Sequence, residues 1–375
     1  LFQGEQYGTF SCPRRCMGCL DSPIALAMRR SLVDAPRRKK KNKKKKKRKA
    51  TEGSSPVVAK KAKAELVDVY DGSGLSVEVG EAADSEVRSR RCLQSLIAPV
   101  SARKFWDTYF ERRAFCVTGK TFDLMSIEDV FAAADGAAVG VDVDVTRYDG
   151  TKKQKKQDDG VTLQRKDAEK AFAKKWTLRL RCPQERVEKV HRLCESLEEE
   201  FGFDVSSNAY LTPAQAQGFA PHYDDVDVFV LQLAGKKRWV IDVPRDEQKQ
   251  LPRFSSEDFA AAPEEGYERT ELLLDEGDLL YLPRGFIHHA KTTENDASLH
   301  LTVSTHRLST WTDYLDLALR RGLETASNQH KLLRTSIPRD YFHFMGLQHS
   351  TADDERDDEK DDDDDAKKDD DEPAR

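Results

Sequence analysis

The stretch Gly218-Phe219-Ala220-Pro221-His222-Tyr223-Asp224-Asp225-Val226-Asp227 runs straight into the apolar segment Val228 to Leu233. In extended chain, side chains alternate from one face to the other. His222 and Asp224 therefore project the same way, and Tyr223 and Asp225 the opposite way. An imidazole and a carboxylate on one face are two parts of an open non-haem iron site, which needs a second histidine from elsewhere. His288 and His289 fit that need, in Leu282-Pro283-Arg284-Gly285-Phe286-Ile287-His288-His289-Ala290. A strand-like run ends there at Pro283, and Gly285 permits a tight bend. Two histidines and one carboxylate occupy one face of iron(II) and leave three positions open for a bidentate keto acid and dioxygen. A closed tetrahedral zinc site leaves none.

A keto acid with a second carboxylate needs a cation deep in the fold. Lys237 shares a face with Trp239 and Ile241 by the period-two rule. A charge among inward-facing apolar side chains is costly unless paired, and a bound carboxylate would pair it. Each of these features has a plainer reading. An isolated His-x-Asp is usually a surface pair, and Lys237 turns to solvent if the register slips by one between Lys236 and Arg238. The argument for a site is that order, spacing and strand context agree.

The elements that would position these residues are short strands separated by Gly, Pro and Asp turns, which suggests a sandwich or jelly roll. Val205–Leu211, Leu279–Pro283 and Leu299–Ser304 read as strands, and Phe229–Leu233 with Arg238–Val243 reads as a hairpin about Ala234-Gly235-Lys236-Lys237. Upstream, Ser101 is placed to cap a helix over Ala102–Arg112, and Ser126 to cap a second. Val141–Tyr148 and Trp176–Arg181 alternate as strands, the latter with Arg179 and Arg181 on one face. Lys152–Asp159 reads as a polar loop, and Glu185–Phe201 as an amphipathic helix. Trp311–Leu323 and Asn328–Leu333 read as helical.

The ends differ in charge. Leu1–Lys63 holds 19 Lys/Arg against 4 Asp/Glu, with a dense basic run from Arg37 to Lys49, whereas Ala352–Arg375 holds 15 Asp/Glu against 5 Lys/Arg. Such runs repel and cannot bury, so both ends are expected to be disordered. The basic run reads as a nuclear or nucleolar address able to contact RNA or DNA, and the acidic tail as a contact for basic partners or as a solvated end. No stretch approaches the ~20 apolar residues that span a bilayer, and no signal-peptide pattern is present. The seven cysteines, an odd and scattered set, suit a reducing compartment; Cys12, Cys16 and Cys19 lack a fourth zinc ligand nearby. The chain opens on Leu1, so it reads as a fragment or a cut form. The divisions expected are a basic arm (1–85), a helix-and-strand part (86–204), a β core (205–310), C-terminal helices (311–349) and an acidic tail (350–375).

Four segments carry a family resemblance: Asn208-Ala209-Tyr210-Leu211-Thr212-Pro213, Gln217 to Asp225, Phe229 to Trp239, and Gly277-Asp278-Leu279-Leu280-Tyr281-Leu282-Pro283-Arg284-Gly285. They closely resemble the ribosomal-oxygenase branch of the JmjC family, over about Cys92 to Ser350. The resemblance implies a β-rich α+β protein whose core is a double-stranded β-helix, the jelly-roll architecture shared with cupins, with flanking helices. It implies iron(II), 2-oxoglutarate and O2, with His222, Asp224 and His288 as iron ligands. His288 is preferred to His289 because the Gly-x-x-His spacing from Gly285 matches. Lys237 becomes the partner of the distal 2-oxoglutarate carboxylate. Asn208, Tyr210, Arg179 and Ser304 map near the substrate histidine and cosubstrate, and His300, facing the same way as Ser304, lines the site. The implied reaction is hydroxylation of a histidine in a ribosomal protein, with histone lysine demethylation as a second attributed activity. The competing readings are an inactive JmjC-like nuclear recruitment module and a cupin enzyme using another metal. Members of the family continue past Ser350 into dimerisation helices and a winged-helix domain, whereas an Asp-rich run follows here, which leaves homodimerisation open.

Overall fold

The computed structural model describes residues 66–79, 85–150, 153–155, 160–260, 265–339 and 341. The basic run, Cys12, Cys16, Cys19 and the acidic tail lie outside these residues. Two units are distinguished, one ending at Thr310 and the other starting at Trp311.

The first unit is built on two sheets. Its strands are β1 (Val67–Asp71), β2 (Ala114–Thr118), β3 (Val143–Tyr148), β4 (Lys153–Lys155), β5 (Thr177–Arg181), β6 (Ser206–Thr212), β7 (Asp227–Ala234), β8 (Lys237–Pro244), β9 (Tyr267–Leu274), β10 (Leu279–Leu282), β11 (Ile287–Thr292) and β12 (Ser298–Thr305). Nine form one sheet in the order β1-β2-β10-β7-β12-β6-β5-β3-β4, and three form a second in the order β11-β8-β9. Helices α1 (Ser85–Ile97), α2 (Ala102–Lys104, continuing as a π-helix to Tyr109), α3 (Ile127–Ala134), α4 (Arg165–Ala173) and α5 (Glu188–Phe201) complete the unit.

Alternation along the strands assigns the two faces of the large sheet. Phe229, Leu231, Ala209, Leu211, Leu178, Leu180, Leu299 and Leu301 join one core with Leu93, Leu96, Leu193 and Leu197 of the helices. Val228 and Val230 join a second core with Trp239 and Ile241 of β8 and Leu280 and Leu282 of β10. Strand β7 is buried from Asp227 to Leu233, and its Val228–Leu231 run is apolar at every position because the strand is covered on both faces. The intervening residues of β5, β6 and β12, among them Arg179, Tyr210 and His300, are the polar set left to the face turned toward β8. This is the β-rich jelly-roll architecture expected from the sequence.

Four expectations are corrected. Strands β7 and β8 are consecutive but do not form a hairpin: β7 pairs with β10 and β12, β8 with β11 and β9. The Gly235-Lys236 connection crosses between sheets. Gly235 has φ +64°, and a Cβ there would stand 1.9 Å from the Ala297 carbonyl oxygen, so the corner needs glycine. Within the stretch to residue 85 expected to lack order, Val67–Asp71 forms a strand that pairs in parallel with β2. The loop expected over Lys152–Asp159 contains β4, paired with β3 through Arg147↔Gln154. The helix after Ser101 also stops earlier than Arg112, at Tyr109, with Glu111 in a left-handed conformation.

The second unit holds α6 (Trp311–Gln329) and a short 3-10 turn (Lys331–Arg334). Among the described residues no helix is long and apolar enough to cross a membrane, and Cys92, Cys116, Cys182 and Cys194 are free thiols.

Candidate metal and dicarboxylate site

His222 and His288 meet through their backbones. His288 N–H donates to the His222 carbonyl at 2.8 Å, and His222 N–H donates to the His288 carbonyl at 3.2 Å. This isolated antiparallel bridge sets the two rings side by side, centroids 4.8 Å apart. Asp224 follows His222 in the irregular segment before β7, and its carbonyl accepts from Gly285 N–H at 3.0 Å. The donor atoms of His222, Asp224 and His288 all lie within 4.8 Å of one another. His222 Nε2 is 3.8 Å from Asp224 Oδ1 and His288 Nε2 is 3.6 Å from Oδ2. These separations are too long for direct hydrogen bonds, so the carboxylate bonds neither ring.

The tautomers follow from the other ring nitrogens. His222 Nδ1 lies 2.8 Å from the Ala220 carbonyl and His288 Nδ1 lies 3.0 Å from the Phe286 carbonyl. A carbonyl only accepts, so each Nδ1 carries the proton and each Nε2 presents a lone pair toward Asp224. A ring held by its far nitrogen is the usual outer support of a metal-ligating histidine. Burial, then the neighbouring His222, lowers the His288 pKa to about 4, which keeps the ring in its neutral, ligating form near neutrality. The donor set of two imidazoles and one carboxylate fits a divalent metal with open positions. His289 is not part of it. It follows His288 on β11 and so faces the other way; burial lowers its pKa, opposed chiefly by Asp242.

Lys237 opens β8 and is buried. Its Nζ donates to Thr212 Oγ1 at 3.0 Å and lies 3.4 Å from His300 Nδ1. Among the described residues no carboxylate forms an ion pair with it, and burial alone lowers its pKa to about 7. His300 is held well below its ordinary pKa by burial and then by the Lys237 charge. The His300 ring stacks on Tyr210, its partner across β12 and β6, with centroids 4.7 Å apart and planes 2° from parallel. Trp239 packs on both His288 (5.9 Å) and His300 (5.4 Å), joining the metal end to the lysine end, and its indole N–H is buried without an acceptor. A desolvated ammonium and an orphaned indole N–H beside an open metal-binding triad fit an anionic chelate.

Arg179 reaches the same wall. It pairs with Asp144, hydrogen-bonds Tyr210, and its guanidinium lies 5.2 Å from the Phe219 ring. Arg181 also binds Asp144; burial pushes that carboxyl up, but the two guanidiniums hold it below its ordinary pKa. Tyr210 is raised by burial, and the nearby Asp224 adds to the shift. Asn208 is buried on the same face of β6 as Tyr210 and Thr212. The Ser304 hydroxyl shares a 2.9 Å hydrogen bond with Ser206 Oγ and also donates to the Ser206 carbonyl.

Sequence reasoning missed Thr212, although the period-two rule that groups Asn208 with Tyr210 includes it. It also missed the polar cluster beneath the metal segment. Asp227 accepts from Tyr281, and Arg284 bridges Asp227 (3.1 Å) and Glu111 (2.6 Å). Burial, opposed by Arg284, raises the Asp227 pKa to about 6.

Comparison with known proteins finds a domain family and a set of relatives. Residues 179–314 match the family model described as a JmjC domain. A bifunctional lysine-specific demethylase and histidyl-hydroxylase, NO66, of Dictyostelium discoideum is 37% identical over 307 residues, covering 80% of this chain and 59% of that protein. Ribosomal oxygenase 1 of Homo sapiens is 36% identical over 287 residues, covering 74% of this chain and 44% of that protein. The chain thus spans about half the length of the curated relatives it matches. A solved structure of YcfD, a ribosomal oxygenase from Escherichia coli in complex with cobalt and 2-oxoglutarate, has a TM-score of 0.42 and 20% identity, covering 59% of this chain and 56% of that one.

Proposed function

We propose that this chain, which carries a JmjC domain and is similar over most of its length to the ribosomal oxygenases, is an iron(II)- and 2-oxoglutarate-dependent protein oxygenase that hydroxylates a histidine of a ribosomal protein. The observation that carries the reading is the juxtaposition of the His222–Asp224–His288 donors with Lys237, a buried cation without a carboxylate partner among the described residues.

His222, Asp224 and His288 would hold the metal, and Lys237 with Thr212 would hold the distal carboxylate of 2-oxoglutarate. When bound, iron(II) with 2-oxoglutarate and O2 supplies the oxidising power to place oxygen on an unactivated C–H bond. The chain's own work is binding and orientation. The carbonyls of Ala220 and Phe286 fix the imidazole tautomers. Trp239, Tyr210 and His300 form an aromatic wall that excludes water between the metal and lysine ends. Arg179, Asn208 and Ser304 are the substrate-facing candidates, Arg179 held by Asp144 and Tyr210. Holding reactants in one geometry is the main contribution of such a site.

The bifunctional name of the D. discoideum relative supports demethylation of histone lysines as a second activity, and with it a role in chromatin regulation. The basic run from Arg37 to Lys49 supports a nuclear or nucleolar location and contact with RNA or DNA. Exposed Leu317, Leu319 and Leu323 on α6 support self-association into a homodimer. Mass spectrometry of ribosomal proteins and histones, treated with wild type and with Asp224→Ala, tests the activity. A histidine gaining one oxygen only with wild type is expected. No such gain, and no decarboxylation of 2-oxoglutarate alone, would favour a recruitment module.

A further inference from the structure

The connection between β8 and β9 makes an excursion that the site described so far does not use. Part of it, Ser255 to Phe259, runs alongside the metal segment and grips every second residue. Phe259 N–H donates to the Pro221 carbonyl at 2.9 Å. Ser256 N–H donates to the Tyr223 carbonyl at 3.0 Å, and Tyr223 N–H returns a bond to Ser256 Oγ at 2.9 Å. Asp225 N–H donates to Ser255 Oγ at 3.1 Å, and that hydroxyl donates to Asp225 Oδ1 at 2.6 Å. Residues 221, 223 and 225 are thereby tied to the strap, while the alternate positions, His222 and Asp224, are the candidate ligands.

The same excursion reaches the other ligand-bearing turn. Gly285 has φ +88°, and a Cβ there would stand 2.5 Å from Pro252 Cδ, so the turn before His288 lies directly on Leu251-Pro252. The metal segment is thus the middle layer of three. The strap binds one edge, and the His288 backbone binds the other through the reciprocal bonds with His222. The C-terminal end of the strap is held further by the Tyr148 hydroxyl, which donates to the neighbouring Ala260 carbonyl (3.3 Å), and by ring contact of Phe259 with Tyr223 (6.2 Å).

We propose that Ser255 and Ser256 are positioning residues for the metal ligands: through Asp225 and Tyr223 they hold the irregular segment so that His222 and Asp224 arrive already aligned with His288. The proposal rests on the metal-site reading above. An irregular segment gains no order from a regular ladder; beside the isolated backbone bonds at Pro221, His222, Tyr223 and Asp224, side-chain bonds of this kind fix its shape. Without the two hydroxyls the segment keeps its sequence and its ligands but samples wider positions, and metal binding must supply the ordering.

The test is anaerobic titration of Mn(II), as a stable stand-in for iron(II), into the full chain. Calorimetry gives affinity and electron paramagnetic resonance gives the symmetry of the bound ion. The double variant Ser255→Ala/Ser256→Ala is expected to bind Mn(II) about tenfold more weakly and with a broadened resonance. Ser255→Thr, which keeps the hydroxyl, is expected to stay within about twofold of wild type. Hydrogen exchange on wild type gives an independent readout. Linkage requires that added Mn(II) slow amide exchange at Ser256 and Phe259, which bear no ligand. Unchanged affinity and resonance in the double variant, or exchange at the strap indifferent to Mn(II), would overturn the positioning role. Failure of wild type to bind Mn(II) at all would instead overturn the metal-site reading, and the positioning role with it.

Discussion

Two lysines are buried to the same extent, each about 4% exposed, and they are treated differently. Lys120 lies beneath the C-terminal end of α1. Its Nζ donates to the Ser95 carbonyl at 2.9 Å and the Ala98 carbonyl at 3.2 Å, the acceptors a helix end leaves unpaired. Among the described residues, Lys237 meets only one hydroxyl and one depressed imidazole. Burial lowers both, Lys120 to about 8 and Lys237 to about 7. Arg284, also buried, completes the contrast because the chain surrounds it with its own carboxylates, Asp227 and Glu111. A cation that serves the fold is given its acceptors by the fold. Lys237 is left for a ligand to satisfy, at a cost in the stability of the unliganded protein.

That contrast can be broken in several places. The largest effect is expected from Arg284→Met, which strands two acidic groups; chemical denaturation should show a loss of about 3 kcal/mol or more. Lys237→Met should lower 2-oxoglutarate affinity at least ~100-fold by calorimetry in the presence of Mn(II), as an unpaired carboxylate in a buried site predicts. The same variant should melt no lower than wild type, since it removes an unpaired buried charge. A melting temperature that falls together with affinity would make Lys237 a fold element after all. Lys120→Met should reverse the pattern, costing about 1–3 kcal/mol of stability through two orphaned carbonyls and leaving 2-oxoglutarate affinity within about threefold.

The smallest effect is in pH. The folded pKa of Lys237, about 7, lies below its ordinary 10.5. Below the folded value the site is charged and ready for a carboxylate; above it, binding must recapture a proton. The affinity for 2-oxoglutarate should therefore weaken by up to about tenfold per pH unit above pH 7. Stability has the opposite sign. Between 7 and 10.5 the unfolded chain binds more protons at this residue, so the cost of burying Lys237 shrinks as pH rises through that window. Urea melts at pH 7 and pH 9 should show this slope in wild type, and in Lys237→Met only the smaller part that Lys120, lowered to about 8, still supplies.

Much of the candidate site was legible because it depends on local periodicity. His222 with Asp224, and Lys237 with Trp239 and Ile241, needed only the alternation of extended chain, and the third histidine needed only a strand end with a glycine bend. What escaped depends on where chains go after a turn. A two-residue connection at Gly235-Lys236 looks alike whether β8 folds back on β7 or crosses to another sheet. Strand β1 is polar and short, and exists through its parallel pairing with β2. The strap at Ser255 to Phe259 has no apolar period; its order comes from bonds to residues 30 or more positions away. The stack of His300 on Tyr210 depends on the register of two strands far apart in sequence.

The most direct measurement is an anaerobic titration of iron(II) and 2-oxoglutarate together into wild type and Asp224→Ala, following the visible charge-transfer absorption of a keto acid chelated to ferrous iron. Saturation at one equivalent in wild type and no absorption in Asp224→Ala is the predicted result. Absence of the band in wild type, or its undiminished presence in Asp224→Ala, would contradict the assignment of His222, Asp224 and His288 as a shared metal site.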